Sequence, residues 1–362
     1  MQYIKPDYYD TFSCIGGVCP DTCCAGWEIE IDEGTLYQYK NYAPSVHTDL
    51  SNRFKSEINY DESVFCQKSN GRCAFLNDEN LCDIYKNTQD EMLWCDTCRN
   101  YPRHIEEFEG IREISIGLSC PEAARIILTN PGKVGFITEE DELFEEYDDF
   151  DYLLYSKLCD LRSFLIETAQ QRNMPVDKRI ALLLDSSKKA QEAVDADNLF
   201  AIDDIILCQG SSCPPLNFYE MSRRYFDVLD SLEILRESWQ KMRDTYEEIL
   251  FSKNEEGYYT LKAGFDSYLV KSGLKSSFDT ALEQILVYFI FIYFCGSVYD
   301  CLPYAKTVFA VSSCIIISDL CMARYAKEGN LQMSDIIDIA HSYAREVEHS
   351  NENLDYIDSN IA

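Results

Sequence analysis

The residues with the clearest chemical potential are ten cysteines packed into roughly a hundred positions, from Cys14 to Cys120. The first run has the spacing C-x4-C-x3-C-C, formed by Cys14, Cys19, Cys23 and Cys24. The second comprises Cys66, Cys73, Cys82 and the C-x2-C knuckle of Cys95 and Cys98, closed by Cys120 before Pro121. Short spacings in Gly- and Pro-containing turns let several thiolates converge on a metal or iron–sulfur centre. A disulfide framework is the competing use. The opening residues have neither the apolar core nor the small-residue cleavage site of a secretory leader, and an odd total of seventeen cysteines leaves at least one unpaired. Cys159, Cys208, Cys295, Cys301, Cys314 and Cys321 are scattered singly among apolar residues and read as ordinary small hydrophobes. The irregular first run and the single knuckle leave both iron–sulfur and zinc open. Candidate ligands also outnumber those of a single four-thiolate centre, so either two centres form or some thiols only line the pocket.

The elements around these residues divide into two parts. Residues 1–135 read as an irregular cysteine-rich metal-binding domain with short strands and helices. Residues 136–362 read as an α-helical bundle, making the fold class mainly α. The alternating run 26–32 and the run 111–118 are strand candidates, and Pro121 opens a helix. Helical periodicity covers 151–172 and 176–196, and the segment 210–216 is a loop. A single apolar stripe runs through 218–251. A nearly all-apolar helix spans 278–298, with Ser276 and Asp279 resembling a capping box. Pro303 opens a further helix that Gly329 ends, and Ser334 begins the last.

A formal charge of −31, from 63 acidic against 32 basic residues, repels nucleic acid and anionic membrane and favours a cationic partner. Nine of the thirteen residues from 139 to 151 are acidic, which suits a solvated helix or a connector. The longest apolar run, 285–295, is about half the ~20 residues needed to cross a bilayer, so a cytoplasmic protein with no membrane partner is expected. Glycine-rich phosphate loops and the serine-hydrolase elbow are missing, and the histidines form no H-E-x-x-H pair.

The run Cys73, Phe75, Leu76, Cys82, Tyr85, Cys98, Arg99, Tyr101 and Pro102, after a paired-cysteine element, resembles cysteine-rich zinc- or iron-chelating bacterial proteins. Residues 19–32, 98–103, 118–125 and 343–353 are more specifically similar to the flagellin lysine-N-methylase family, so the likeness reaches both ends of the chain. The resemblance implies a protein-lysine N-methyltransferase: methyl transfer from S-adenosylmethionine to lysine side chains of flagellin, with an iron–sulfur cluster, 4Fe-4S in type, required. An iron lacking a cysteine would chelate the methionine end of the cofactor. The metal set expected is Cys14, Cys19, Cys23, Cys24, Cys73, Cys82, Cys98 and Cys120, while Cys66 and Cys95 fit the pattern less well. Arg99, Tyr101 and Arg103 flank that set as candidates to hold a cofactor carboxylate. Glu348 and His349 are candidates for proton handling, against their reading as the charged face of a terminal helix. The rival class is a non-catalytic zinc or iron–sulfur adaptor or electron-transfer protein.

Overall fold

A computed structural model describes residues 1–42, 48–88, 93–207 and 215–361. Cys208 and residues 210–214 of the expected loop lie outside this set. The chain is mainly helical, 61% helix against 10% strand, as the periodicity predicts.

Two hydrophobic cores organise it. The smaller lies within the cysteine-rich segment and gathers Ile29, Tyr39, Phe54, Phe65, Phe75 and Cys95. Around it run α1 (Glu33–Lys40), α2 (Thr48–Ser56), a two-stranded ribbon of β2 (Ile58–Asn59) and β3 (Val64–Phe65), α3 (Asp83–Thr88) and α4 (Asp96–Asn100). The alternating run 26–32 forms no named strand. It makes isolated bridges at its edges, Ala25 to Arg72 and Glu30 to Val64, because it has no continuous partner.

β1 (Gln2–Pro6), β4 (Arg103–Phe108), β5 (Ile111–Ile116) and β6 (Phe136–Glu140) form one sheet ordered β4-β5-β1-β6. β5 is parallel to β1, and the other pairings are antiparallel. Phe108 and Ile116 of this sheet pack into the larger core with the helices. A buried ion pair reinforces that junction: Glu113 of β5 accepts from both terminal nitrogens of Arg162, the Nη2 bond being 2.6 Å. The acidic run is no helix. It continues from β6 as an irregular connector, which Arg112 ties down through Glu145.

α5 (Pro121–Leu128) begins with the expected proline. Then follow α6 (Tyr152–Ala169), α7 (Val176–Asp195), α8 (Ala201–Leu207), α9 (Phe218–Leu229), α10 (Glu237–Phe251), α11 (Glu255–Ser272), α12 (Lys275–Tyr293), the short α13 (Ser297–Asp300), α14 (Pro303–Glu328), α15 (Met333–Val347) and α16 (Asn351–Asn360). The apolar stripe through 218–251 is carried by two helices, broken at 230–236. The expected cap at Ser276 is corrected: Leu274 is the N-cap and makes no side-chain bond, whereas Gln332 and Asp335 form a capping box ahead of α15. Gly329 ends α14 at φ +75°, a left-handed conformation that glycine adopts without strain.

α12 and α14 lie against each other at the centre of the body. Both helical segments are long and apolar enough to cross a membrane by length and composition, contrary to the shorter run read from the sequence. Their most apolar windows are 89% and 94% buried in the protein itself, as befits core helices.

Candidate functional site

The cysteine runs fold onto one another through main-chain contacts. The Cys73 amide donates to the Cys24 carbonyl at 2.8 Å, and the Gly26 amide to the Gly71 carbonyl at 3.0 Å. Gly17 brings the first run against the loop before Cys82: a Cβ there would lie 2.6 Å from the Glu79 carbonyl oxygen, closer than any side chain tolerates. Asn77 shapes that loop by accepting from the amides of Glu79 and Leu81. Asp32 caps α1 through Thr35 and also accepts from the Asp96 amide at 2.9 Å, which fixes the start of α4 beside Cys95 and Cys98.

The outcome is a cavity of about 710 Å³ lined by nine cysteines: all eight of the expected set and Cys95. Cys66 does not line it. The thiols fall into two neighbourhoods that interact electrostatically: Cys14, Cys19, Cys23 and Cys120 in one, and Cys24, Cys73, Cys82, Cys95 and Cys98 in the other. Burial is the first cause that raises Cys73 to about 12, and Cys82 and Cys120 to about 11. The adjacent Cys23 and Cys24 thiols act on one another across the two neighbourhoods, which holds Cys24 down and Cys23 up. All described cysteines are free thiols. Among the described residues, no three His, Cys, Asp or Glu side chains converge tightly enough for a single metal ion. The donors are spread around a chamber.

The outlying cysteines follow the expectation in part. Cys295, Cys314 and Cys321 are buried, but Cys301 is exposed at a left-handed helix end, φ +60°. Cys159 is half-buried, with its sulfur 3.9 Å from that of Cys295.

Arg99, Tyr101 and Arg103 all line the thiol cavity. Arg99 is engaged with Asp96 and the Trp94 carbonyl, and Arg103 lies 5.9 Å from the Phe12 ring centre. Tyr101 meets Trp27 edge-on at 5.3 Å, and Trp27 meets His349 edge-on at 4.3 Å.

That last contact brings the far end of the chain to the cysteines. Arg345 of α15 pairs with Asp21 at 2.9 Å and donates to the carbonyls of Thr22 and Ala25. Arg236 bridges Asp21 at 2.9 Å and Glu346 at 2.5 Å. Glu348 and His349 are no exposed charged face: both are half-buried beyond this clamp, with their polar atoms turned inward. Glu348 Oε1 accepts from Tyr293 at 2.7 Å and from Tyr288 at 2.9 Å, and the Tyr288 hydroxyl in turn accepts from the Leu118 amide, two residues before Cys120. Burial pushes the Glu348 carboxyl up to about 7. Burial, followed by the charges of Arg345 and Arg236, pushes His349 down to about 4, so its ring is neutral near pH 7. Glu348 Oε2 and His349 Nε2 are buried without a hydrogen-bond partner.

Sequence reasoning missed Asp21, Arg236 and Glu346, the residues of the clamp, and passed over Cys95. Only Cys95 carried a local signal, its C-x2-C spacing with Cys98.

Cysteine-rich module and helical body thus define a class of protein in which a thiol-lined chamber, built from residues 12–122, is braced from behind by the carboxyl-terminal helices. Residues 162–362, more than half of the chain, match the family model described as the FliB lysine N-methylase C-terminal domain, and the chain belongs to that family. It is 30% identical over 139 residues to a lysine-N-methylase of Salmonella typhimurium, a match covering 35% of this chain and 32% of that protein. It is 29% identical over 139 residues to the flagellar biosynthetic protein FliU of Salmonella muenchen, covering 35% of this chain and 77% of FliU. The chain therefore spans about a third of the length of the lysine-N-methylases it matches. No solved structure matches.

Proposed function

We propose that this protein transfers methyl groups from S-adenosylmethionine to lysine side chains of flagellin, and that its chamber thiols hold an iron–sulfur centre. The observation that carries the reading is the thiol chamber itself, whose wall at Asp21, Thr22 and Trp27 is backed by Arg345 and His349 of the FliB-matching portion. Nine thiols spread around about 710 Å³ suit a polynuclear centre several ångströms across better than a lone zinc ion. At this density the cysteines would repel one another as thiolates, and they form the donor set that a cationic metal core would stabilise in that form. Cys14, Cys19, Cys23, Cys24, Cys73, Cys82, Cys98 and Cys120 are the proposed ligands, and Cys95 joins them. When bound, such a centre supplies Lewis acidity and redox capacity.

The protein's own residues would do the rest. A lysine ammonium has an ordinary pKa of about 10.4 and no lone pair at neutral pH. Desolvation against Trp27 and Tyr101 would lower that value, and Glu348, which lies behind the chamber wall and is linked to it through Tyr288 and through His349 against Trp27, is the proposed proton acceptor through its unpartnered Oε2. Tyr288 and Tyr293 hold the carboxylate in place through its other oxygen. Arg99, Tyr101 and Arg103 are the proposed contacts for the cofactor carboxylate. The net charge of −31 favours a basic substrate and a cationic methyl donor alike, and reduced thiols suit the cytoplasm.

Anaerobically prepared, iron- and sulfide-replete protein incubated with methyl-labelled S-adenosylmethionine and flagellin should label flagellin lysines. Absence of label from replete protein would overturn the reading. A colourless protein carrying stoichiometric zinc would favour an adaptor instead.

A further inference from the structure

The helical body contains a second cavity, of about 550 Å³, that shares no lining residue with the thiol chamber. Its volume lies within the range of small-ligand sites, roughly 300–1,000 Å³. Asp319 of α14 stands in its wall and is only 4% exposed. Tyr258 donates to both carboxylate oxygens, at 3.0 and 3.2 Å, and Ser222 donates to one of them. Both donors are neutral, and among the described residues Asp319 makes no ion pair. A buried carboxylate so placed is costly to ionise, and burial raises it to about 6.

Three of the four cationic side chains of the cavity are committed elsewhere, and Lys262 acts on Asp319 only through its charge, without an ion pair. Arg172 and Arg179 pair with the buried Glu283, and Lys275 with Asp279. Lys262 lies over the Phe218 ring, 5.1 Å from its centre, which shows that this wall already accepts an ammonium on an aromatic face.

We infer that this cavity is a binding site for an organic ammonium ion with an aliphatic stem. The charge sits against Asp319, and the stem against Phe218, Tyr258 and Phe265. Such a ligand supplies the ion-paired countercharge that Lys262 does not make, and buries apolar surface among the three rings. The inference does not depend on methyl transfer, because occupancy is read directly.

The test is calorimetric titration of the full chain with n-butylammonium chloride, with n-butanol as the neutral partner of similar shape. Saturable one-site binding of n-butylammonium, at least about tenfold tighter than n-butanol, is expected. Asp319→Asn should weaken it by a further tenfold or more without loss of the folded state. Lys262→Met, which removes the resident rival cation, should tighten it severalfold. Equal affinity for butanol, no saturable heat, or an Asp319→Asn protein that binds as well as the parent would overturn the inference. Should Asp319→Asn fail to fold, Lys262→Met decides: unchanged or weaker binding overturns the proposal.

Discussion

Glu348 is the residue whose surroundings say most about chemistry. Two tyrosine hydroxyls hold one carboxylate oxygen while the other is buried and unpartnered. Its folded-state value of about 7 lies above its ordinary 4.5, so the native protein keeps a proton that the unfolded chain has already released. Stability from this group is therefore fully present below about pH 4.5 and is lost as pH rises toward 7, by on the order of 3 kcal/mol. Glu348→Gln should flatten that slope, which urea denaturation at pH 5 and pH 8 measures. If Glu348 is the base, the same variant should slow flagellin methylation by about 10²- to 10⁴-fold, and the activity of the parent should rise through pH 7. Glu283 makes the opposite case. It is 1% exposed and compensated by Arg172 and Arg179. Glu283→Gln leaves two guanidinium groups short of their countercharge and should cost about 3–5 kcal/mol in a denaturant titration.

Among the elements, periodicity identified the helices that bury a face but not the places where tertiary contacts interrupt one. The stripe through 218–251 contains no proline or glycine. It breaks because Glu346 Oε2 takes the amides of Leu235 and Arg236, at 3.0 and 3.2 Å, and so captures the start of α10 from a distant helix. The alternation at 26–32 fails as a strand for a related reason: only isolated bridges meet it, and a period of two without a ladder is no strand. Pro121, Pro303 and Gly329 were legible because their backbone constraints are local. Of the candidate site, the cysteines were readable from spacing, whereas Asp21 and Arg236 were not, since their pairing spans 215 residues. Arg345→Ala should loosen α15 from the first cysteine run. Stability should fall by about 2–5 kcal/mol, and limited proteolysis should reach the 14–24 segment sooner while circular dichroism keeps its helical signal.

At the scale of the whole molecule, two cores of unequal size share one chain. Among the described residues the smaller has thirteen buried hydrophobic residues, few for an independently stable unit. A metal centre would add its binding free energy to that unit's folding. Iron chelation of replete protein should therefore destabilise the cysteine-rich segment first, seen as early protease cuts before residue 120, while the 162–362 body resists. Uniform protection of both segments after chelation would count against a structural centre. The Arg345 contacts to Asp21, Thr22 and Ala25 also bear on how the protein is born. A ribosome releases the thiols more than three hundred residues ahead of the guanidinium that fastens them, so through most of synthesis they stand unguarded. Nascent chains arrested before Arg345 emerges should be alkylated readily at Cys19, Cys23 and Cys24, and finished chains slowly.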